Sequence, residues 1–306
     1  MKLVFHKYHG TGNDFILVDN QRGNIRLSQE QIARYCDRHF GIGADGFLLL
    51  TARPGYDFGM VYFNSDGNES TMCGNGGRCM VAYVRSLNLI KDKATFMASD
   101  GEHRAEVLKI NGSTTHIRLK MSDVLCTPPP TPPQQGRGAT VSSREPSTYL
   151  KRSNSIQINT GSPHFVVFVD DVSTVDVVKE GRMLRNDPRF VPDGINVDFV
   201  EIRDNGLFVR TYERGVENET LSCGTGVTAA ALAVASWQLA VGSWQRPVTS
   251  HQSPVTGHQS PLTSYAVETL GGKLTVSFRQ RGGDFTDIWL EGPAEFVFSG
   301  KMTNFQ

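Results

Sequence analysis

Glu69-Ser70-Thr71-Met72-Cys73-Gly74-Asn75-Gly76 and Glu219-Thr220-Leu221-Ser222-Cys223-Gly224-Thr225-Gly226 are two copies of one pattern, Glu-[Ser/Thr]-x-x-Cys-Gly-x-Gly. Each copy leads into an apolar run. After the first, Met80, Tyr83, Val84 and Leu87 recur at helical spacing; after the second, a helix from about Thr225 to Leu239 is apolar almost all round, which predicts burial. Upstream, Thr11-Gly12-Asn13-Asp14-Phe15 is echoed by Thr160-Gly161-Ser162-Pro163-His164-Phe165, again before an apolar run. Thr11 lies 62 residues before Cys73, and Thr160 lies 63 before Cys223. A third echo falls between them, Arg38-His39-Phe40 with Asp45-Gly46 against Arg189-Phe190 with Asp193-Gly194. Three matches in one order at nearly equal intervals mark an internal duplication. The predicted fold is therefore α+β: two pseudo-symmetric β-rich halves, each wrapped around a central α-helix, with the active site in the cleft between them.

Outward from these motifs, short β-rich runs appear at Leu3 to Tyr8, Phe15 to Val18, Phe47 to Leu50, Met60 to Phe63, Arg104 to Leu108 and Thr115 to Met121. In the second half they recur at Ile156 to Asn159, Phe165 to Val169, Asn196 to Ile202 and Leu207 to Tyr212. Ser28 and Gln31 have capping-box spacing and predict a helix with Ile32, Tyr35 and Cys36 on one face. Residues 127–133, Thr-Pro-Pro-Pro-Thr-Pro-Pro, cannot be regular structure, because proline lacks a donor and fixes φ. They read as a stiff connector. A seven-residue repeat beginning at Pro247 and Pro254 is polar, holds proline in each copy and has no apolar period, so about 244–264 reads as a surface-loop insertion. His251 and His258 have no partner ligands beside them there. The domain reading is an N-terminal half at 1–122, completed by 292–306, and a C-terminal half at 123–291.

Lys plus Arg and Asp plus Glu both number 31, so the chain is neutral. With no basic block there is no footprint for nucleic acid or an anionic membrane. The longest apolar stretch, Val227 to Trp237, is about half a bilayer span, and the N-terminus turns polar too early for a signal peptide. Five irregularly spaced cysteines do not form a disulfide framework, so a reducing cytoplasm is the expected setting. A small molecule is the expected partner, with a homodimer left open.

A helix N-terminus presents unpaired N–H groups and a positive dipole end, which favour anions and thiolates. Two such cysteines facing each other suit inversion of a carbon bearing hydrogen: one thiolate removes the proton, and the opposite thiol delivers another to the far face. Amides at both helix starts would hold the α-carboxylate and the charge moving onto it. The bland alternative is that isolated cysteines are small buried hydrophobes. That reading fits Cys36, Cys79 and Cys126, which lack the glycine setting, better than the duplicated Cys73 and Cys223. No pair has Cys-x-x-Cys spacing for zinc, and Gly10-Thr11-Gly12-Asn13-Asp14 lacks the third glycine of a dinucleotide fingerprint. No metal and no cofactor are expected.

His9-Gly10-Thr11-Gly12-Asn13-Asp14-Phe15, Phe63-Asn64-Ser65-Asp66-Gly67, Cys73-Gly74-Asn75-Gly76-Gly77-Arg78, Tyr212-Glu213-Arg214-Gly215 and Cys223-Gly224-Thr225-Gly226 together resemble the diaminopimelate epimerase family. The resemblance covers nearly the whole chain except the connector and the heptads. It implies cofactor-independent interconversion of LL- and meso-diaminopimelate, in lysine and peptidoglycan-precursor synthesis. It further implies Cys73 and Cys223 as the catalytic pair, and His164 and Glu213 as groups tuning their protonation. Reactive-end contacts would fall on Gly74, Asn75, Gly224, Thr225 and Glu213, and distal-end contacts on Asn13, Asn64, Asn196 and Arg214. Arg214 would pair bidentately with the distal carboxylate. Two positions depart from the family pattern: Ser162 where many members have Asn, and Gly46 where some have Gln. On residues alone, Asn13, Asn64 and Asn196 also suit turns, Arg214 a surface ion pair and His164 a satisfied core histidine. Competing functions are another amino-acid epimerase on the same fold, a non-catalytic redox thiol protein, or a pyridoxal-phosphate racemase, for which no lysine stands in a suitable setting.

Overall fold

The computed structural model of the chain describes residues 2–125, 155–241 and 260–303. Cys126, the connector at 127–133 and most of the heptad insertion lie outside the described residues.

Ten elements appear once and then again in the same order. The first set is β1 (Lys2–Gly10), β2 (Asn13–Asp19), α1 (Gln29–Cys36), β3 (Gly46–Thr51), β4 (Phe58–Asn64), β5 (Glu69–Ser70), α2 (Gly74–Ser86), β6 (Lys93–Ala98), β7 (Gly101–Asn111) and β8 (Thr114–Lys120). The second is β9 (Ser155–Asn159), β10 (Pro163–Phe168), α3 (Val177–Arg185), β11 (Asn196–Arg203), β12 (Gly206–Glu213), β13 (Asn218–Thr220), α4 (Gly224–Val241), β14 (Leu262–Thr269), β15 (Gly272–Arg281) and β16 (Asp284–Thr303). Pairing repeats with the order. β2 runs parallel to β3 as β10 does to β11, and β4 parallel to β6 as β12 does to β14. The chain has the α+β fold of two β-rich halves, each around its own helix.

Strand β16 ties the halves together. Its first part pairs with β15, Gly292 to Glu295 pair with β8, and Glu295 to Thr303 pair with β1. Leu262 to Ser264, within the expected loop, instead open β14 and pair with Arg279 to Ser277.

Inside each half the helix is buried: α4 is apolar almost all round, and the polar residues in the first turns of α2, Asn75 and Arg78, are buried with hydrogen-bond partners. Every residue from Gly74 to Val84 of α2 is buried, and Val227 and Ala229 to Ala235 of α4 are at most 5% exposed. The outer helices are amphipathic and cover the sheets from outside. Ile32, Tyr35 and Cys36 of α1 seal one satellite core; Val177 and Leu184 of α3 seal the other. The Ser28–Gln31 capping box starts α1 as the spacing predicted. The result holds two helix N-termini rigidly at the centre of the molecule.

Candidate active site

Cys73 is the N-cap of α2, in extended conformation at φ −92° and ψ 130°, and its carbonyl accepts from the Gly77 amide at 2.7 Å. Its thiol donates to Asn13 Oδ1 at 3.7 Å, and Asn13 Nδ2 donates to Asp45 at 2.8 Å. Asn75, 1% exposed, donates to Asn13 Oδ1 at 3.3 Å and across the cleft to the Ser222 carbonyl at 2.9 Å. Its own Oδ1 accepts from the buried Arg78 guanidinium at 2.7 Å. Arg78 also reaches Thr11 Oγ1 and the Gly74 carbonyl, both at 3.4 Å. A buried guanidinium thus braces the first turn of α2. Pattern reading placed Arg78 within the motif but gave it no role; an arginine among the buried residues of α2 was the available signal.

The second half is built differently beneath the same motif. Cys223, 7% exposed, precedes α4, with its carbonyl accepting from Val227 at 2.9 Å. Its Sγ lies 3.4 Å from Thr225 Oγ1, which lies 3.0 Å from His164 Nε2. His164 Nδ1 is 2.7 Å from Asp198 Oδ2, and neither side chain has any accessible surface. Thr211 donates to the other Asp198 oxygen at 2.7 Å. Ser162 Oγ lies 2.9 Å from His164 Nε2 and donates to Thr225 at 3.1 Å. Asp198 and Thr211 were not anticipated; they lie on β11 and β12, outside both copies of the cysteine motif.

The two helix starts touch. A methyl group on Gly224 would stand 3.0 Å from Leu290 Cδ2 and 3.4 Å from the Gly74 Cα, so the two backbones approach with little room for a side chain on the Gly224 side. Glu213, at the end of β12, raises both thiols by its charge and therefore sits near both. Its own carboxyl is pushed up by burial.

Of the expected contact residues, Asn13, Asn75, Gly74, Gly224, Thr225, Glu213, His164 and the cysteines converge on this cleft. Asn196, 4% exposed, donates to the Pro163 carbonyl at 3.0 Å and accepts from the Arg214 amide at 2.9 Å, so it anchors the turn that carries Arg214. The Arg214 guanidinium makes a long 3.4 Å contact with the Asp193 carbonyl. Asn64 ends β4 exposed, its backbone closing the turn to Gly67 and Asn68. At Gly46 a Cβ would fall 2.5 Å from the Tyr62 ring, which fills the space a longer side chain would use.

One expectation fails. The helix field does not leave the cysteines acidified: burial pushes both thiols up, Cys223 well up, and the Glu213 charge adds to both. Amides of Gly76 and Asn75 at Cys73, and the Thr225 hydroxyl and Gly226 amide at Cys223, pull the other way without prevailing. In a cleft that excludes water, the lost hydration of a thiolate outweighs a few dipoles. Cys36 is pushed up to about 12 by burial in the α1 core, and Cys79 is raised by burial inside α2. Among the described residues no group of three or more His, Cys, Asp or Glu is placed to hold a metal ion, and no helix is long and apolar enough to cross a membrane.

Similarity to known proteins agrees with this geometry. The diaminopimelate epimerase family model matches residues 5–124 and 156–297. The diaminopimelate epimerase of Flavobacterium psychrophilum is 43% identical over 97% of this chain and 98% of its own length. That of Methanocella arvoryzae is 38% identical over 98% and 97%. Among solved structures, a Bacillus anthracis phenazine biosynthesis protein of the PhzF family superposes with a TM-score of 0.66 at 13% identity, covering 99% of each chain. A probable proline racemase from Agrobacterium radiobacter gives 0.63 at 14% identity, covering 98% of this chain and 93% of its own; at such identities these two report the shared fold alone. With sequence similarity running across both halves and both cysteine motifs, the chain belongs to the diaminopimelate epimerase family of isomerases.

Proposed function

We propose that this chain interconverts LL- and meso-diaminopimelate by moving a proton across one α-carbon between Cys73 and Cys223, without a cofactor. The observation that carries the reading is the contact between the two helix starts. Gly74 and Gly224 abut, and each is preceded by a cysteine. An α-carbon seated over that contact has one thiol on each face. The α-carboxylate then lies against the amides of residues 74–76 and 224–226, where the charge that develops on proton removal is met by N–H groups already in place.

The raised thiols suit this chemistry. A thiolate costly to form in an empty, desolvated cleft is a strong base once formed, and the α-hydrogen of an amino acid needs one. Glu213, near both sulfurs, adjusts the proton balance between them, and His164 does so from the Cys223 side. At the far end of the substrate, Arg214 pairs with the distal carboxylate in a fork geometry that lysine cannot supply, while Asn13, Asn64 and the Asn196-anchored turn set its reach. We further propose that residues 1–122 with 292–306, and 123–291, form the two functional halves, and that the enzyme serves lysine and peptidoglycan-precursor synthesis in the cytoplasm.

The test is direct. Purified chain, dialysed against chelator and kept reduced, is given LL-diaminopimelate, and the stereoisomers are separated chromatographically. Accumulation of the meso form toward equilibrium is expected; unchanged LL substrate would refute the assignment.

A further inference from the structure

The two halves match element for element, yet what lies beneath their helix starts does not. Under α2, among the described residues, Cys73 has no hydrogen-bonded base: its thiol donates to Asn13 Oδ1, an amide oxygen that cannot accept a proton near neutral pH, while the Glu213 carboxylate acts on it through space as it does on Cys223. Under α4 the groups form a line of hydrogen bonds with one direction. Thr211 donates to one Asp198 oxygen, leaving the other for His164 Nδ1 at 2.7 Å. With Nδ1 carrying the hydrogen, Nε2 presents its lone pair to Thr225 Oγ1 at 3.0 Å. The Thr225 oxygen in turn lies 3.4 Å from Cys223 Sγ. Every proton in that line can point toward Asp198, and the carboxylate is fully buried, with His164 its one cationic partner among the described residues.

We propose that Asp198 is a positioning residue that acts through His164 and Thr225 to create the thiolate at Cys223, making Cys223 the base and Cys73 the acid in the resting enzyme. The inference rests on the two-cysteine reading above and deepens it. The step balances without a co-reactant. The S–H bond of Cys223 breaks as its proton joins Thr225 Oγ1, while the Thr225 hydroxyl proton passes to His164 Nε2. The products are a thiolate and an imidazolium, and the imidazolium charge is met by Asp198. No electrons change owner and the pocket's net charge is unchanged, which is how a thiolate forms where burial alone opposes it.

The charged and titratable groups facing Cys223 are His164 from β10, Asp198 from β11 and Glu213 from β12, with Cys73 on the neighbouring helix start. Both carboxylates oppose a thiolate through space. The imidazolium is one hydroxyl from the sulfur whereas Asp198 lies beyond it, and the nearer charge dominates. Removing Asp198 should therefore make the thiolate harder to form, because the imidazolium goes with it.

The experiment follows iodoacetamide alkylation of the Cys223 and Cys73 peptides in one sample across pH, by mass spectrometry, in the unaltered chain and in Asp198→Asn. The Cys223 midpoint should rise by about one pH unit or more, the size expected for loss of an opposite charge a few ångströms away, while the Cys73 midpoint stays put. Turnover should fall about a hundredfold or more with KM little changed, as for loss of a proton-transfer partner that touches no substrate. A Cys223 midpoint that stays or falls, or equal movement at both cysteines, would overturn the proposal. Should Asp198→Asn not fold, Thr225→Val breaks the line at its hydroxyl and must raise the Cys223 midpoint, while Thr225→Ser must keep it near the original. The alkylation needs no substrate, so failure of the diaminopimelate assignment would leave this result readable, and the reverse.

Discussion

Gly76 and Gly226 hold the same place in the duplicated motif, yet alanine at the two should move stability in opposite directions. Both are the third residues of their helices, in the first turn, where replacing glycine by alanine gains up to about 1 kcal/mol in backbone entropy and helix propensity. At Gly76 an added Cβ meets the Phe15 ring at 3.5 Å and Leu48 Cδ1 at 3.6 Å, ordinary contacts that cost nothing. At Gly226 the same atom falls 2.3 Å from Asp198 Oδ1 and 3.2 Å from Thr211 Oγ1. The carboxylate must move by about 1 Å, and it is held by the bonds from His164 and Thr211. Disturbing a hydrogen bond to a buried charge costs about 1.5–3 kcal/mol, and overpacking adds about 1–3 kcal/mol. Set against that gain of up to about 1 kcal/mol, Gly226→Ala should be about 1.5–5 kcal/mol less stable than the parent, and Gly76→Ala up to about 1 kcal/mol more stable. Urea denaturation followed by tryptophan fluorescence measures both. Matching shifts in the two variants, or a stabilised Gly226→Ala, would show that Asp198 is not packed against α4 as described.

Cys73→Ser and Cys223→Ser should each nearly abolish epimerisation while leaving the urea midpoint in place, since an alkoxide is far harder to form than a thiolate of reference pKa about 8.5; near-normal turnover in either removes that cysteine from the mechanism. Mild oxidation should link Cys73 to Cys223 and stop turnover, with thiol reductant restoring it. Peptide mapping that finds the crosslink elsewhere would argue that the two do not face each other. Burial raises the Asp14 carboxyl, but bonds from Arg38 and Lys7 more than offset this and hold it down to about 2. Its contribution is therefore present above pH 4 and lost as pH falls toward 2, so Asp14→Asn should cost about 2 kcal/mol at pH 7 and almost nothing at pH 2. An equal cost at both pH values would mean packing rather than charge.

The duplicated motif was enough to place the two halves and both buried helices and to single out Cys73 and Cys223 as candidates, because both copies of Cys-Gly-x-Gly stand at a helix start. α3 escaped notice because its inner face is Val177, Gly181 and Leu184; with glycine in the central apolar position the helical period does not register. β6 is hidden in a similar way, since two of its inward positions are Ala94 and Ala98. Within the site, Asn75 and Asn196 were read as substrate contacts, but their polar atoms are largely taken up by Arg78, Ser222, Pro163 and Arg214. A side chain's chemistry is legible from its type, whereas the partners that consume it come from strands distant in sequence. Asp198 shows the same limit from the other side. It reads as an ordinary strand residue until β10 and β12 bring His164 and Thr211 to its two oxygens. The direction of the thiol shifts was likewise set by burial, which no local motif reports.

The most direct test of two thiols on opposite faces of one carbon is the fate of hydrogen in heavy water. Reduced enzyme is given LL-diaminopimelate in deuterium oxide, and early product and remaining substrate are separated and weighed by mass spectrometry. With one thiol removing the proton and the other delivering a solvent-derived one, the meso product should carry one deuterium at an α-carbon while unreacted substrate stays protiated. Product that retains the original hydrogen, or deuterium entering substrate and product alike, would contradict the account, because a single base would then be serving both faces.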